Sequence, residues 1–138
     1  PANRIDNQTV VAAFDLQPTL CALAGIATPK DKSYDGLDMS AAFLGRSTQR
    51  AQPIFWAFRT FSSYNVGKKA HLSPKLAMRE GNWKFLINPD GSDAELYDLS
   101  TDLAERHNLA NRLSAQATEF SDHTLTWWRE VSRVYATN

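Results

Sequence analysis

The stretch NWKFLINPDGSDAELYDLSTDLAERHNL, residues 82–109, gathers Asp90, Asp93, Glu95, Asp98, Asp102, Glu105 and His107 around a turn. Such a set of oxygen and nitrogen donors could hold a divalent cation. A calcium loop of the EF-hand kind, however, needs oxygens at alternate positions, a central glycine and a terminal bidentate glutamate. Here Asp90, Asp93, Glu95 and Asp98 fall inside two strand patterns and miss that register. Pro89-Asp90-Gly91 reads more simply as a turn, in which proline fixes φ and glycine accepts a positive one. Asp102, Glu105 and Asn108 suit a second turn and a helix start, because short polar side chains bond nearby backbone amides. The expectation is scaffolding, with no metal site in this stretch.

Other residue types that do chemistry are scattered. His71, His107 and His123 share no i, i+4 spacing and have no cysteine nearby, so a zinc set is not expected. His71 does sit in a long polar loop with Arg59, Lys68, Lys69 and Lys75, and loops of about 15 residues tend to be functional or disordered. That cluster could bind an anion, or it could simply be a solvated basic loop. No serine lies in a G-x-S-x-G elbow, no glycine-rich phosphate loop occurs, and Cys21 lies inside an apolar helical pattern. The residues alone define no self-contained active site.

The elements that must position these groups follow from pattern. TVVAAF, residues 9–14, predicts a short strand, and DLQPTLCALAG predicts a helix of about ten residues, with Asp15 as cap, Pro18 in the first turn and Gly25 at the end. After a loop with Pro29 and Asp35-Gly36, a short helix is predicted from Met39 to Leu44, stopped by Gly45. PIFWAF, residues 53–58, is an apolar run suited to a buried strand. KLAMRE, NWKFLIN and AELYDL predict three further strands joined by turns at Glu80-Gly81 and Pro89-Asp90-Gly91, an antiparallel meander. From Leu113 onward, Ala117, Phe120, Trp127 or Trp128, Val131 and Val134 recur on one helical face, with Ser114, Glu119 and Arg129 off it. A long terminal helix should lie across the meander, with Trp56, Trp83, Trp127 and Trp128 together with Phe55, Phe85 and Tyr97 expected mostly in the core between sheet and helix.

Composition bounds the function classes. The chain has 138 residues, 43% of them hydrophobic and 22% charged, so one core burying roughly two thirds of the unfolded surface is possible. Lys plus Arg equals Asp plus Glu at 15 each, which leaves no basic field for nucleic acid or a membrane surface. No apolar run approaches the roughly 18 residues that cross a bilayer, and no signal segment is evident. One cysteine excludes an intramolecular disulfide. A start at Pro1 without methionine suggests an excised or processed piece of something longer.

Read in order, DLQPTLCALAGI, YDGLDMSAAFLG, PIFWAF, LAMREGNWKFLINPDG, AELYDLSTDLAERHNLA and a closing tryptophan-bearing helix resemble the C-terminal third of arylsulfatase-type sulfatases. The resemblance covers about residues 8–130, each motif being weak and the order of all six specific. FW and GNWK look most like bacterial sulfatases acting on sulfated sugars. Leu103 stands where the family usually has proline and Ala57 where a glutamate commonly follows the tryptophan.

The resemblance implies an α+β piece. Residues 1–46 would be a helical remnant finishing the large α/β catalytic domain, and residues 47–138 a four-stranded antiparallel sheet packed against a long C-terminal helix. It implies that the parent hydrolyses sulfate esters using calcium and a formylglycine made from a Cys/Ser-x-Pro-x-Arg motif. That motif is absent here, Cys21 being followed by Ala22, Leu23 and Ala24. No cofactor and no catalytic residue is then expected in this piece, which alone should be inactive. Its expected contribution is substrate contact from the long loop, through Arg59, Tyr64, Lys69, His71 and Lys75. Its implied partners are the N-terminal catalytic domain and a sulfated small molecule or carbohydrate, and a bacterial parent would be periplasmic or secreted. Two alternatives stay open: a phosphatase or phosphonate hydrolase of the same superfamily, and a noncatalytic sulfated-sugar-binding or structural module.

Overall fold

The computed structural model describes residues 3, 5–6, 8–27, 34–58 and 73–136. They fall into two compact units, Pro1–Gln52 and Pro53–Asn138.

The second unit is the predicted meander with its helix. Strands β1 (Ile54–Ala57), β2 (Leu76–Glu80), β3 (Trp83–Ile87) and β4 (Glu95–Asp98) pair antiparallel in the order of the chain. Because side chains alternate along a strand, register decides which residues share a face. Met78 lies opposite Phe85 and Phe85 opposite Leu96, while Leu76 lies opposite Ile87. These residues form one apolar face, and Ala117 and Phe120 of α3 (Ser114–Ala136) close over it. Phe85 meets Phe120 edge-on with centroids 6.2 Å apart, and Phe55 stacks on Trp127 at 5.3 Å. Each fully buried side chain of this size contributes about 1.5–3 kcal/mol relative to exposure, so this core is the main stabiliser of the unit. Thr124 interrupts the apolar stripe of α3 and is nevertheless buried, because its hydroxyl donates to the Phe120 carbonyl one turn back at 2.7 Å. A smaller cluster of Ala77, Leu86 and Tyr97, with Leu99 against it, occupies the opposite face.

Turns follow their glycines. Glu80 pairs with Trp83, leaving a two-residue loop in which Gly81 takes φ +55°. Between β3 and β4, Gly91 adopts φ +83° and its amide donates to Asn88. The two edges of the sheet differ. Asn108 seals β4 by accepting from the Leu96 amide and donating to the Ala94 carbonyl, and Leu109 N–H donates to Leu96. The other edge strand departs from its expected burial: only Ile54 of β1 is buried, and Trp56 is substantially exposed. An apolar run signals a strand, but it cannot say that the strand will lie at an edge.

The first unit contains a 3-10 turn (Ala13–Asp15), α1 (Leu16–Leu23) and α2 (Ser40–Phe43). Gly25 and Gly45 follow the two helices with φ +69° and +92°, as their positions predict. The strand expected at residues 9–14 is not formed. A β-branched run becomes a strand only beside another strand, and here the Ala12 amide donates instead to the Asp15 carboxylate. Asp15 likewise does not cap α1 with its side chain.

Candidate functional site

Each carboxylate of residues 82–109 is already used by the fold. Asp90 Oδ1 accepts from both the amide and the hydroxyl of Ser92, at 3.0 and 2.7 Å, and Asp98 does the same for Ser100 at 2.9 and 2.6 Å. The serine hydroxyls, then the amides, hold both carboxyls below the usual aspartate range. Asp93 accepts from the Asn88 side-chain amide, and Asp102 accepts from the amides of Arg106 and His107. Partial burial works against the charge on Asp102, but those two amides and the His107 ring outweigh it, so its pKa is lowered. Lys84 Nζ sits 2.7 Å from both oxygens of Glu105, and Tyr97 donates to Glu95 at 3.0 Å. Burial, then the hydrogen bond to Glu95, pushes the Tyr97 phenol up to about 12. The carboxylates are turn formers, strand-edge caps and ion-pair partners.

Among the described residues no group of three or more His, Cys, Asp and Glu side chains is arranged to hold a metal ion. No helix among them is long and apolar enough to cross a membrane.

Of the predicted substrate-contacting residues, Arg59, Tyr64, Lys69 and His71 lie outside the described residues, and Lys75 lies within them. Lys75 is exposed at the start of β2, where its carbonyl accepts from Phe58 N–H at 2.7 Å. That bond continues the β1–β2 ladder past Ala57. Asn88 also accepts from the Lys75 amide, at 3.2 Å, and the Lys75 charge contributes to the lowered pKa of Asp90. Antiparallel order places Lys75 at the end of the sheet that carries the Pro89-Asp90-Gly91 turn.

The most tightly organised polar group lies in the first unit, and pattern reading missed it. Asp15 is fully buried, accepting from the Ala12 amide at 2.7 Å and the Leu37 amide at 2.8 Å and pairing with the nearly buried Arg50 at 2.5 Å. Burial disfavours its charge, but the hydrogen bond to Arg50, followed by those to the two amides, wins and lowers its pKa. One turn on, buried Thr19 accepts from the Met39 amide at 2.9 Å. Asp15 and Thr19 together therefore pin residues 37–39 to α1. The chain approaches so closely there that a Cβ on Gly36 would strike the Phe14 carbonyl. The signal available in the sequence was the i, i+4 spacing of Asp15 and Thr19 on a helix with Pro18 between them. Asp15 and Thr19 are closed to solvent, the Arg50 side chain is nearly so, and the cluster holds structure.

No protein-family profile matches the chain. It is 30% identical over 106 residues to the Delta 4,5-hexuronate-2-O-sulfatase of Bacteroides thetaiotaomicron, a match covering 77% of this chain and 21% of that protein. It is 29% identical over 129 residues to the choline-sulfatase of Rhizobium meliloti, covering 87% and 22%. Among solved structures, a 2-O GAG sulfatase superposes with a TM-score of 0.52 at 27% identity, covering 89% of this chain and 24% of that one. The chain spans about a fifth of the length of the curated relatives it matches.

Proposed function

Taking the chain as a C-terminal sulfatase region, the family whose sequence and fold it shares, we propose that it is part of an enzyme hydrolysing sulfate esters of carbohydrates. In this reading it supplies scaffold and part of the substrate cleft. This reading is carried by the likeness to a hexuronate sulfatase, which runs across 77% of the chain.

Sulfate ester cleavage needs an oxygen nucleophile, positive charge on the sulfate oxygens and an acid for the leaving group. In the family it resembles, formylglycine and calcium supply the first two. Among the described residues, Cys21 lies in α1 and is followed by Ala-Leu-Ala, which is not the family's motif, and the carboxylates of residues 82–109 are committed to the donors described above. Both roles are therefore assigned to the remainder of a longer chain. What residues 1–138 offer is the basic segment expected to contact substrate, with Lys75 at the start of β2. Its Arg59, Lys69, His71 and Lys75 would attract the sulfate or a uronate carboxylate, with Tyr64 available to a sugar ring. The supporting partner is the N-terminal catalytic portion, and a periplasmic or secreted location suits sulfated polysaccharide as substrate.

The test is to recover the coding sequence upstream of Pro1 and express the extended chain. A Cys/Ser-x-Pro-x-Arg motif and release of sulfate from 2-O-sulfated disaccharides are expected. In that enzyme Arg59→Ala and His71→Ala should raise KM roughly tenfold or more with a smaller effect on kcat, as loss of a charge-assisted contact would. An upstream sequence without the motif, or an active enzyme indifferent to both substitutions, overturns the corresponding half of the reading.

A further inference from the structure

Two aromatic side chains stand outside the core on one side of the edge strand β1. Trp56, expected in the core, is 40% exposed, and Phe58 two residues on is 64% exposed. Alternation along a strand puts residues i and i+2 on the same side, and the Phe58 amide, donating to the Lys75 carbonyl, keeps Phe58 in the β1–β2 ladder. The strand is anchored from its other side, where Phe55 stacks on Trp127 with centroids 5.3 Å apart. The cross-strand neighbour of Trp56 is Ala77, whose methyl group is too small to cover an indole, and that of Phe58 is Lys75. Lys75 is exposed, and its ammonium forms no ion pair among the described residues. Asp90, the carboxylate it influences, is already held by the amide and hydroxyl of Ser92. An indole, a phenyl ring and a cation therefore share one side of the sheet edge.

We propose that Trp56, Phe58 and Lys75 form a subsite for one pyranose ring of an anionic oligosaccharide. The inference rests on the proposed function above and deepens it by assigning ring contact to two aromatic residues outside the basic segment. A pyranose presents a face of C–H groups rimmed by hydroxyls, and that face can displace water from an aromatic surface while the hydroxyls stay solvated. Lys75 supplies what a neutral platform lacks, a point charge for a sulfate or carboxylate carried at the edge of the ring. The charge also selects the occupant. A purely apolar partner would strip water from the ammonium without giving it a counter-ion, whereas an anionic sugar satisfies rings and charge together. An apolar lining with a few placed polar groups is the usual composition of a small-ligand site.

The experiment titrates residues 1–138 with a 2-O-sulfated disaccharide, its desulfated counterpart and inorganic sulfate, using calorimetry and ligand-observed NMR, with circular dichroism and Tm to verify that each variant is folded. Saturable binding of the sulfated disaccharide is expected, with weaker binding of the desulfated one. Trp56→Ala should weaken binding roughly tenfold and Phe58→Ala roughly threefold, the range that loss of one aromatic contact covers. Trp56→Phe, which keeps an aromatic face, should recover most of the affinity, as a purely structural role of the indole would not require. Lys75→Ala should remove most of the difference between the sulfated and desulfated sugars. Leu103→Gln, an exposed leucine elsewhere in the second unit, is the control and should be neutral. Absence of binding at millimolar sugar would overturn the subsite, as would binding that Trp56→Ala and Phe58→Ala leave unchanged or that inorganic sulfate reproduces in full. An extended chain that releases sulfate while residues 1–138 fail these tests would keep the proposed function and remove the subsite. Binding lost in Trp56→Ala, with an extended chain that releases no sulfate, would remove the function and keep the subsite.

Discussion

α1 and α3 both carry apolar residues at helical spacing, and they meet opposite fates. On α3 the stripe closes over the sheet through Ala117 and Phe120, and the outward side carries Glu119, Asp122, Arg129 and Glu130. On α1 the buried contacts are polar and the leucines face outward. The second unit thus has an apolar core of its own, whereas the first is held by a buried ion pair and amide contacts. Helical spacing of apolar residues therefore marks a helix in both places, and only the contacts around it decide whether that face is buried.

Two truncations should separate the units most sharply. Phe85→Ala removes the centre of the sheet–helix core and should cost about 3–5 kcal/mol in urea unfolding, melting the second unit. Asp15→Ala leaves Arg50 buried without its partner and should cost a similar ~3–5 kcal/mol, with faster amide exchange confined to residues 12–39. If either variant loosens both units equally, the contrast drawn between them fails. Thr19→Val, which strips the acceptor from the Met39 amide, is expected to cost about 1–3 kcal/mol, again read by exchange at Leu37 and Met39. Gly81→Ala forces a side chain into φ +55° with open space around it, so only backbone strain of about 1–2 kcal/mol should appear.

pH gives the mildest contrast. Asp6, held near 2 first by the Gln8 amide and then by the hydroxyl and amide of Thr9, and Asp15, Asp90, Asp98 and Asp102 all have lowered folded-state values. Their contributions are present above the unfolded aspartate range of about 4 and vanish as pH falls through the folded values, so urea midpoints should decline only below about pH 4. Tyr97 acts at the other end. Its folded value is raised, so the neutral phenol stabilises fully below about pH 10, and that contribution is lost as pH climbs towards 12. Tyrosinate absorbance should show a late-titrating component that disappears in Tyr97→Phe.

Much of the second unit was legible in the sequence because its signals are local. Period-two alternation and the Gly81 and Gly91 turns specify the hairpins, and the 3.6-residue spacing from Leu113 specifies α3. Thr124 was not legible as core, since only a hydrogen bond to Phe120 makes a buried threonine tolerable there. Residues 9–14 misled because β-branched residues favour a strand only where a neighbouring edge exists. The Asp15–Arg50 pair was invisible because its partners stand 35 residues apart and share no periodicity. As for the site, reading the carboxylates of residues 82–109 as turn formers agrees with their hydrogen bonds. Of the loop residues chosen for substrate only Lys75 lies among the described residues.

Under the proposed function, residues 1–138 are scaffold of a sulfatase whose chemistry is supplied elsewhere in a longer chain. The most direct test is sulfate release from an aryl sulfate and from a 2-O-sulfated disaccharide by purified residues 1–138, with calcium present and a formylglycine-generating enzyme co-expressed. No release above the buffer rate is expected; sustained turnover that survives Cys21→Ala would overturn the proposed role, and turnover abolished by that substitution would overturn it more sharply by making Cys21 a nucleophile.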